Sequence, residues 1–119
     1  MKRTVIIGAS TNSTRYAFQA VLDLNKKGFE VFPIGIKPGE IEGIEIITSQ
    51  PIIKQVHTVS IYLNSTKQKQ LYNYILGMKP KRIIFNPGSE NAELAQLAYE
   101  QKIQVEHACT LVLLRTNLY

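Results

Sequence analysis

Five short apolar runs divide this chain, and most are separated by an amphipathic segment rather than by a tight turn. The runs are Thr4–Ile7, Glu30–Ile34, Thr58–Leu63, Arg82–Phe85 and Gln104–Glu106. Runs with so few polar positions are what strands buried on both faces require. Joining such strands in parallel takes a long crossover, normally a helix. The pattern predicts an α/β fold: one doubly wound domain over residues 1–119, its five-stranded, mainly parallel sheet covered by helices on both faces. Sheets of this kind bind ligands outside the C-terminal ends of their strands, near the point where strand order reverses. The segments to weigh for function are therefore Gly8–Arg15, Pro33–Lys37, Tyr62–Thr66, Asn86–Ser89 and His107–Cys109.

The helices follow from spacing. Ala17, Ala20, Val21 and Leu24 recur at helical intervals, and Gly28 just past Lys26 and Lys27 predicts a left-handed stop. Ser65 and Gln68 have capping-box spacing and open a second helix, whose inward face is Leu71, Tyr74, Ile75 and Met78. Glu90–Gln101 reads as a third, burying Leu94, Leu97 and Ala98. Cys109–Leu114 closes the chain as a short helix or a last strand. Gly35–Pro51 reads as a surface excursion with one extended piece at Glu45–Ile47, and Pro51–Val56 as a turn of helix.

Composition narrows the function classes. A chain of 119 residues, 45% hydrophobic and 19% charged, suits one soluble globular domain. No apolar run approaches the ~20 residues that cross a bilayer. Val5-Ile6-Ile7 breaks at Gly8, too early for a signal-peptide core, so the expected location is the cytoplasm. One cysteine, Cys109, excludes an internal disulfide and a cysteine-based metal cluster. The net charge of +5 comes from scattered residues. Its one dense group, Lys79-Pro80-Lys81-Arg82, reads as a solvated connection between helix and strand. No basic stripe with interleaved aromatics points to nucleic acid.

The first turn carries the most chemistry. Val5-Ile6-Ile7 ends in Gly8-Ala9-Ser10-Thr11-Asn12-Ser13, and a helix containing Arg15 in its first turn follows. A helix start offers unpaired N–H groups and a positive dipole end, both suited to an anion. The loop is therefore either a phosphate cradle or only a tight strand-to-helix connection. It has one glycine where the NAD fingerprint has three, and no carboxylate ends the second strand to hold ribose hydroxyls. That strand runs into Phe32-Pro33-Ile34-Gly35-Ile36-Lys37 instead. A lysine there suits a ribose phosphate, which NADP carries at the 2′ position and coenzyme A at the 3′ position. A solvated loop lysine is the other reading of Lys37.

Gly8-Ala9-Ser10 with Asn12 and Arg15, Val31-Phe32-Pro33 with Lys37, Glu40-Ile41 with Gly43, then Gly88, Asn91, Glu93 and Cys109 form a series. In register and spacing this series resembles the small bacterial CoA-binding proteins, whose domain is similar to the N-terminal domain of the succinyl-CoA synthetase alpha subunit. The resemblance implies a Rossmann-like fold holding coenzyme A, or an acyl-CoA, with its phosphates on the first loop. Gly8 would permit close approach, with Ala9 and Thr11 completing the turn. Ser10 and Asn12 would donate hydrogen bonds, Arg15 and Lys37 would supply charge, and Pro33 would shape the nucleotide's seat. Tyr62-Leu63-Asn64 would lie along the adenine side, and Asn86-Pro87-Gly88 beside the pantetheine arm. The chain departs from the family's usual pattern at Ser13, Ala17, Gly35-Ile36 and His107-Ala108.

Catalytic constellations are thin. Gly8-Ala9-Ser10-Thr11-Asn12 lacks the second glycine of a nucleophile elbow. His107 has no evident carboxylate to orient it, and Glu106 stands alone. Cys109 reads either as an inert buried residue or as a thiol able to form a mixed disulfide with CoA. His57 precedes the third strand, away from the ligand edge. The expected function is a non-catalytic module binding coenzyme A or an acyl-CoA. The alternatives are an NADP- or acyl-CoA-dependent enzyme using Cys109 or His107, and a ligand-free protein-interaction domain. The expected partner is a small nucleotide ligand, with neither nucleic acid nor membrane. A homodimer or protein partner on the apolar tail Leu111–Leu114 stays open.

Overall fold

In the computed structural model, which describes residues 2–119, the elements run β1 (Thr4–Ile7), α1 (Tyr16–Lys26), β2 (Val31–Ile34), β3 (Glu40–Ile41) and β4 (Ile44–Glu45). They continue with β5 (Thr58–Ile61), α2 (Ser65–Gln68), a 3₁₀ turn (Lys69–Leu71), α3 (Tyr72–Gly77), β6 (Arg82–Phe85), α4 (Ala92–Glu100), β7 (Gln104–His107) and α5 (Thr110–Arg115). Five strands form one sheet in the order β2-β1-β5-β6-β7, and every pairing in it is parallel. Counted along the chain this is order 2-1-3-4-5, the Rossmann-like doubly wound arrangement. Strand order reverses between β1 and β5, so the crevice for a ligand opens above Ile7 and Ile61.

Alternation along β1 splits the interior into two cores. Val5 and Ile7 join Val59, Ile61, Ile83 and Phe85 beneath α3 and α4, where Ile75, Leu94 and Ala98 close the packing. Ile6 and Ile84 face the other way, against Ala20, Val21 and Leu24 of α1 and Leu111 and Leu114 of α5. Both sheet faces are thus covered, which is why the central strands tolerate no charged side chain except Arg82 at the start of β6. Arg82 is nearly buried, donates to Thr58 Oγ1 at 2.9 Å, meets Glu106 at 3.4 Å and lies over the Tyr119 ring.

The structure departs from the sequence reading in several places. The second helix is not continuous: it breaks into α2, the 3₁₀ turn and α3 directly after Gln68, which is wholly buried. Its cap is Asn64, one residue earlier than Ser65, because the Asn64 carboxamide oxygen accepts from Lys67 N at 3.0 Å. Pro51–Val56 makes no helix, since Gln55 turns left-handed (φ 57°) while Ile53 and Val56 anchor in the core. Gly35–Pro51 is less superficial than expected. β3 and β4 form an antiparallel hairpin, Ile41 and Ile46 are buried, and Ile47 bridges to Ile34. Leu97 is only half-buried. Cys109–Leu114 resolves as helix, and Leu111 and Leu114 of that tail face the core, leaving Val112 exposed. Among the described residues no helix is long and apolar enough to cross a membrane.

Candidate functional site

The loop after β1 is built so that its backbone faces outward. Gly8 has φ +97°, and a Cβ there would meet Leu63 at 3.1 Å, so glycine is needed for both conformation and space. Gly8 N and Ala9 N both donate to Ile34 O, at 3.0 and 2.8 Å, which ties the loop to the end of β2. Ser10 Oγ accepts from Asn12 N at 3.0 Å. Asn12 Oδ1 accepts from Thr14 N at 3.0 Å and from the Thr14 hydroxyl at 2.7 Å. These local bonds use the acceptor atoms of Ser10 and Asn12 and leave the Ser10 hydroxyl proton and the Asn12 amide protons free to donate.

The backbone donors are left over in a group. Among the described residues, the N–H groups of Ser10, Thr11 and Ser13 have no acceptor, nor do those of Tyr16, Ala17 and Phe18 in the first turn of α1. Arg15 does not lie in that first turn. It is the extended residue just before it (φ −84°, ψ 141°), and its side chain makes no cap bond and no ion pair. Arg15 and Lys37 are both exposed and uncompensated by any carboxylate.

The segment after β2 lies directly on this loop. A Cβ on Gly35 would come within 2.4 Å of Ala9 O, and one on Gly39 within 2.5 Å of Thr11 Cγ2. Lys37 therefore rides on a segment packed against Ala9–Thr11. The missing side chain at Gly35 is what lets the two segments close. Pro33 is buried within β2 opposite Ile6, so it acts on the site from beneath rather than at its surface.

Beside Gly8 opens a cavity of about 480 Å³. Its apolar walls are Ile7, Ile34, Ile36, Leu63 and Leu71; Thr48, Ser49, Gln50, Lys67 and Gln70 form its polar part. Of the residues singled out from the sequence, Gly8, Gly35, Ile36 and Leu63 line it, whereas Ser10, Asn12, Arg15, Lys37, Tyr62, Asn64 and Gly88 do not. Tyr62 packs instead into the α1/α5 core, and its neighbour Leu63 reaches the cavity. Burial pushes the Tyr62 phenol well above its usual range. Its hydroxyl lies beside Ser60 and Thr110, which bond to each other at 2.8 Å, and makes no hydrogen bond of its own among the described residues. Asn64 has committed its oxygen to the α2 cap. Pro87 and Gly88 are exposed on the turn after β6. Gly88 is left-handed (φ +92°) with open space where a side chain would be. Sequence reading missed Thr48–Gln50 and Lys67; their one signal was a polar cluster and a lysine adjoining segments already expected at the ligand edge.

The possible catalytic groups are dispersed. His107 ends β7 and stacks on Phe85, while Ser10 follows β1. β5 and β6 lie between those strands, a lateral separation of about 14 Å. Glu106 is engaged with Arg82. Cys109 is half-buried at the cap of α5 and is a free thiol. His57 stands on the opposite edge of the sheet. Burial, and then the charges of Arg82, Lys2 and Lys81, hold its imidazole below the usual range. No group of three or more histidine, cysteine, aspartate or glutamate side chains among the described residues could hold a metal.

A glycine loop at the switch point of a parallel doubly wound sheet defines the class: a Rossmann-like α/β domain. Residues 2–115 match the family described as CoA binding domain, and the chain belongs to that family. It is similar over its whole length to a crystal structure of an uncharacterized protein, at 45% identity and TM-score 0.97, covering 100% of this chain and 98% of that one. The fold recurs in cell-free ID.343 from Thermus thermophilus at 20% identity and TM-score 0.84, over 99% of this chain and 90% of that one. It recurs again in a hypothetical protein from Pyrococcus horikoshii OT3 at 22% identity and TM-score 0.86, over 98% and 83%. No curated protein matches the chain.

Proposed function

We propose that this chain binds coenzyme A or an acyl-CoA as a non-catalytic module, with the phosphates held on Gly8–Arg15. The observation that carries the reading is the group of acceptor-free N–H donors at Ser10, Thr11, Ser13 and Tyr16–Phe18, beside the unpaired cations of Arg15 and Lys37. A phosphate replaces water on such donors with charge-assisted bonds, which are about twice as strong as neutral ones. Membership of the CoA-binding-domain family favours coenzyme A over other phosphates.

In this reading Ser10 donates its hydroxyl proton and Asn12 its amide protons to phosphate oxygens. Ala9 and Thr11 hold the turn against Gly35 and Gly39, and Lys37 meets the ribose phosphate. Pro33 fixes the end of β2 below that phosphate. Leu63, with Tyr62 and Asn64 bracketing it, forms the adenine wall of the cavity; the exposed Pro87-Gly88 turn borders the pantetheine arm. The apolar walls with a polar rim suit a planar base with exocyclic nitrogens. Coenzyme A supplies a thiol or thioester at its far end. This chain's own residues bind and orient the nucleotide end, and the dispersal of Ser10, His107 and Glu106 argues against hydrolysis by a triad.

Calorimetric titration of the purified protein with coenzyme A, acetyl-CoA and NADP, together with 3′,5′-ADP and 2′,5′-ADP as competitors, tests the reading. The expected result is binding of coenzyme A and displacement by 3′,5′-ADP rather than 2′,5′-ADP. Preference for NADP and 2′,5′-ADP would reassign the ligand. Binding of none of them would leave the interaction-domain alternative.

A further inference from the structure

The C-terminal edge of the sheet is crossed by a buried chain of polar side chains that no phosphate contact explains. Its centre is Gln68, which has no exposed surface. The Gln68 carboxamide donates one hydrogen bond to Leu63 O at 2.8 Å and another to Ser89 O, also at 2.8 Å. Its oxygen accepts from Asn91 Nδ2 at 2.9 Å, and Asn91 Oδ1 in turn caps α4 by accepting from Leu94 N at 3.1 Å. Both amide protons and one lone pair of the oxygen are therefore spent on three separate pieces of backbone or side chain.

Two of those pieces follow neighbouring strands at the C-terminal edge of the sheet. Leu63 O belongs to the loop after β5, whose side chain lines the cavity beside Gly8. Ser89 O belongs to the turn after β6 that carries Gly88. No main-chain hydrogen bond joins Leu63 or Asn64 to Gly88 or Ser89 among the described residues; Asn86 holds the root of the turn through its N and Nδ2 to Ile61 O, at 3.3 and 2.9 Å, and beyond that point the Gln68 side chain ties Leu63 to Ser89. A buried amide with three such bonds is rigid, because breaking any one of them leaves a desolvated donor or acceptor.

We propose that Gln68 is a positioning residue, setting the separation of the Leu63 loop from the Gly88 turn so that one ligand can touch both. The inference rests on the coenzyme A reading above, in which the base lies against the first loop and the pantetheine arm passes the second. It predicts which part of the ligand's affinity depends on Gln68. Coenzyme A spans both loops, whereas 3′,5′-ADP engages the phosphate loop and the Leu63 wall alone. Breaking the tie loosens one wall relative to the other and removes the benefit of a preformed site only for the longer ligand.

The test compares the affinities for coenzyme A and 3′,5′-ADP in the wild type and in Gln68→Met, which keeps the length and removes all three bonds. The expected result is that the advantage of coenzyme A over 3′,5′-ADP shrinks by about tenfold, or ~1.4 kcal/mol. Partial unfolding cannot imitate this, since a smaller folded fraction weakens both ligands by the same factor. Should Gln68→Met fail to fold, Asn91→Asp serves. It keeps the acceptor that caps Leu94 and removes the donor to Gln68, and the same ratio is expected to fall by a smaller factor. An unchanged ratio, with both ligands still bound, overturns the positioning role alone. A wild type that binds neither ligand contradicts the coenzyme A reading and the role built on it.

Discussion

Arg15 shows at the level of one residue how the site is divided between charge and backbone. It is exposed, makes no ion pair and contributes no cap bond, so the free protein has little use for its guanidinium. Arg15→Ala should weaken coenzyme A binding by about 1.5–3 kcal/mol, the range for a hydrogen bond to a charged group. Its thermal unfolding without ligand should stay close to wild type, as for other unencumbered surface sites. Calorimetry and a melting curve on the same sample check both halves, and unaltered affinity would remove Arg15 from the site. That Arg15 carries charge beside the loop was legible in the sequence; that it precedes the first helical turn was not, because helix starts are set by backbone angles that a single residue type does not fix. Gly35 is the converse case. Its place in the sequence looked like a loss relative to the family, yet any Cβ would strike the Ala9 carbonyl. Such close approach between segments distant in sequence leaves no local signature.

Elements were legible where a single period governs them. β1 and β6 have the bounds that their apolar runs predict, and α1 ends at the lysines before Gly28. The segment from Ser65 to Met78 was not, since its spacing reads as one helix while Gln68 is held by partners from two other loops. Tertiary hydrogen bonds outside the segment override its periodicity. The hairpin β3–β4 escaped for a related reason: two-residue strands carry no alternation to detect. At this scale α4 carries the clearest prediction. Its cap is Asn91, which accepts from Leu94 N and also joins Gln68 and Tyr72, both by donation. Asn91→Ala should cost more than the ~1 kcal/mol of an ordinary cap, because it also leaves the buried Gln68 oxygen without its donor. Urea denaturation measures this, and a loss below about 0.5 kcal/mol would mean that neither interaction matters to folding.

Across the whole molecule the two edges of the sheet differ in kind. Helices that return antiparallel to the strands bring their N-termini to the C-terminal edge, where the unpaired donors and the cavity lie. Their C-termini gather at the other edge, with Lys26 and Lys27 closing α1, Lys79 following α3 and Lys102 following α4. Arg3, His57 and Lys81 stand in a row there, since His57 N donates to Arg3 O and Lys81 N to His57 O. Net charge alone therefore says little about where an anion binds, because the denser lysines complement helix ends rather than a ligand. The central claim is that coenzyme A occupies the C-terminal edge, above Ile7 and Ile61. The most direct measurement is an amide chemical-shift titration of the isotope-labelled protein with coenzyme A. The largest changes should fall on Gly8–Phe18, Gly35–Gly39 and Leu63–Lys67, while Arg3, His57 and Lys81 stay still. Changes concentrated on that second row, or none anywhere at saturating ligand, would contradict it.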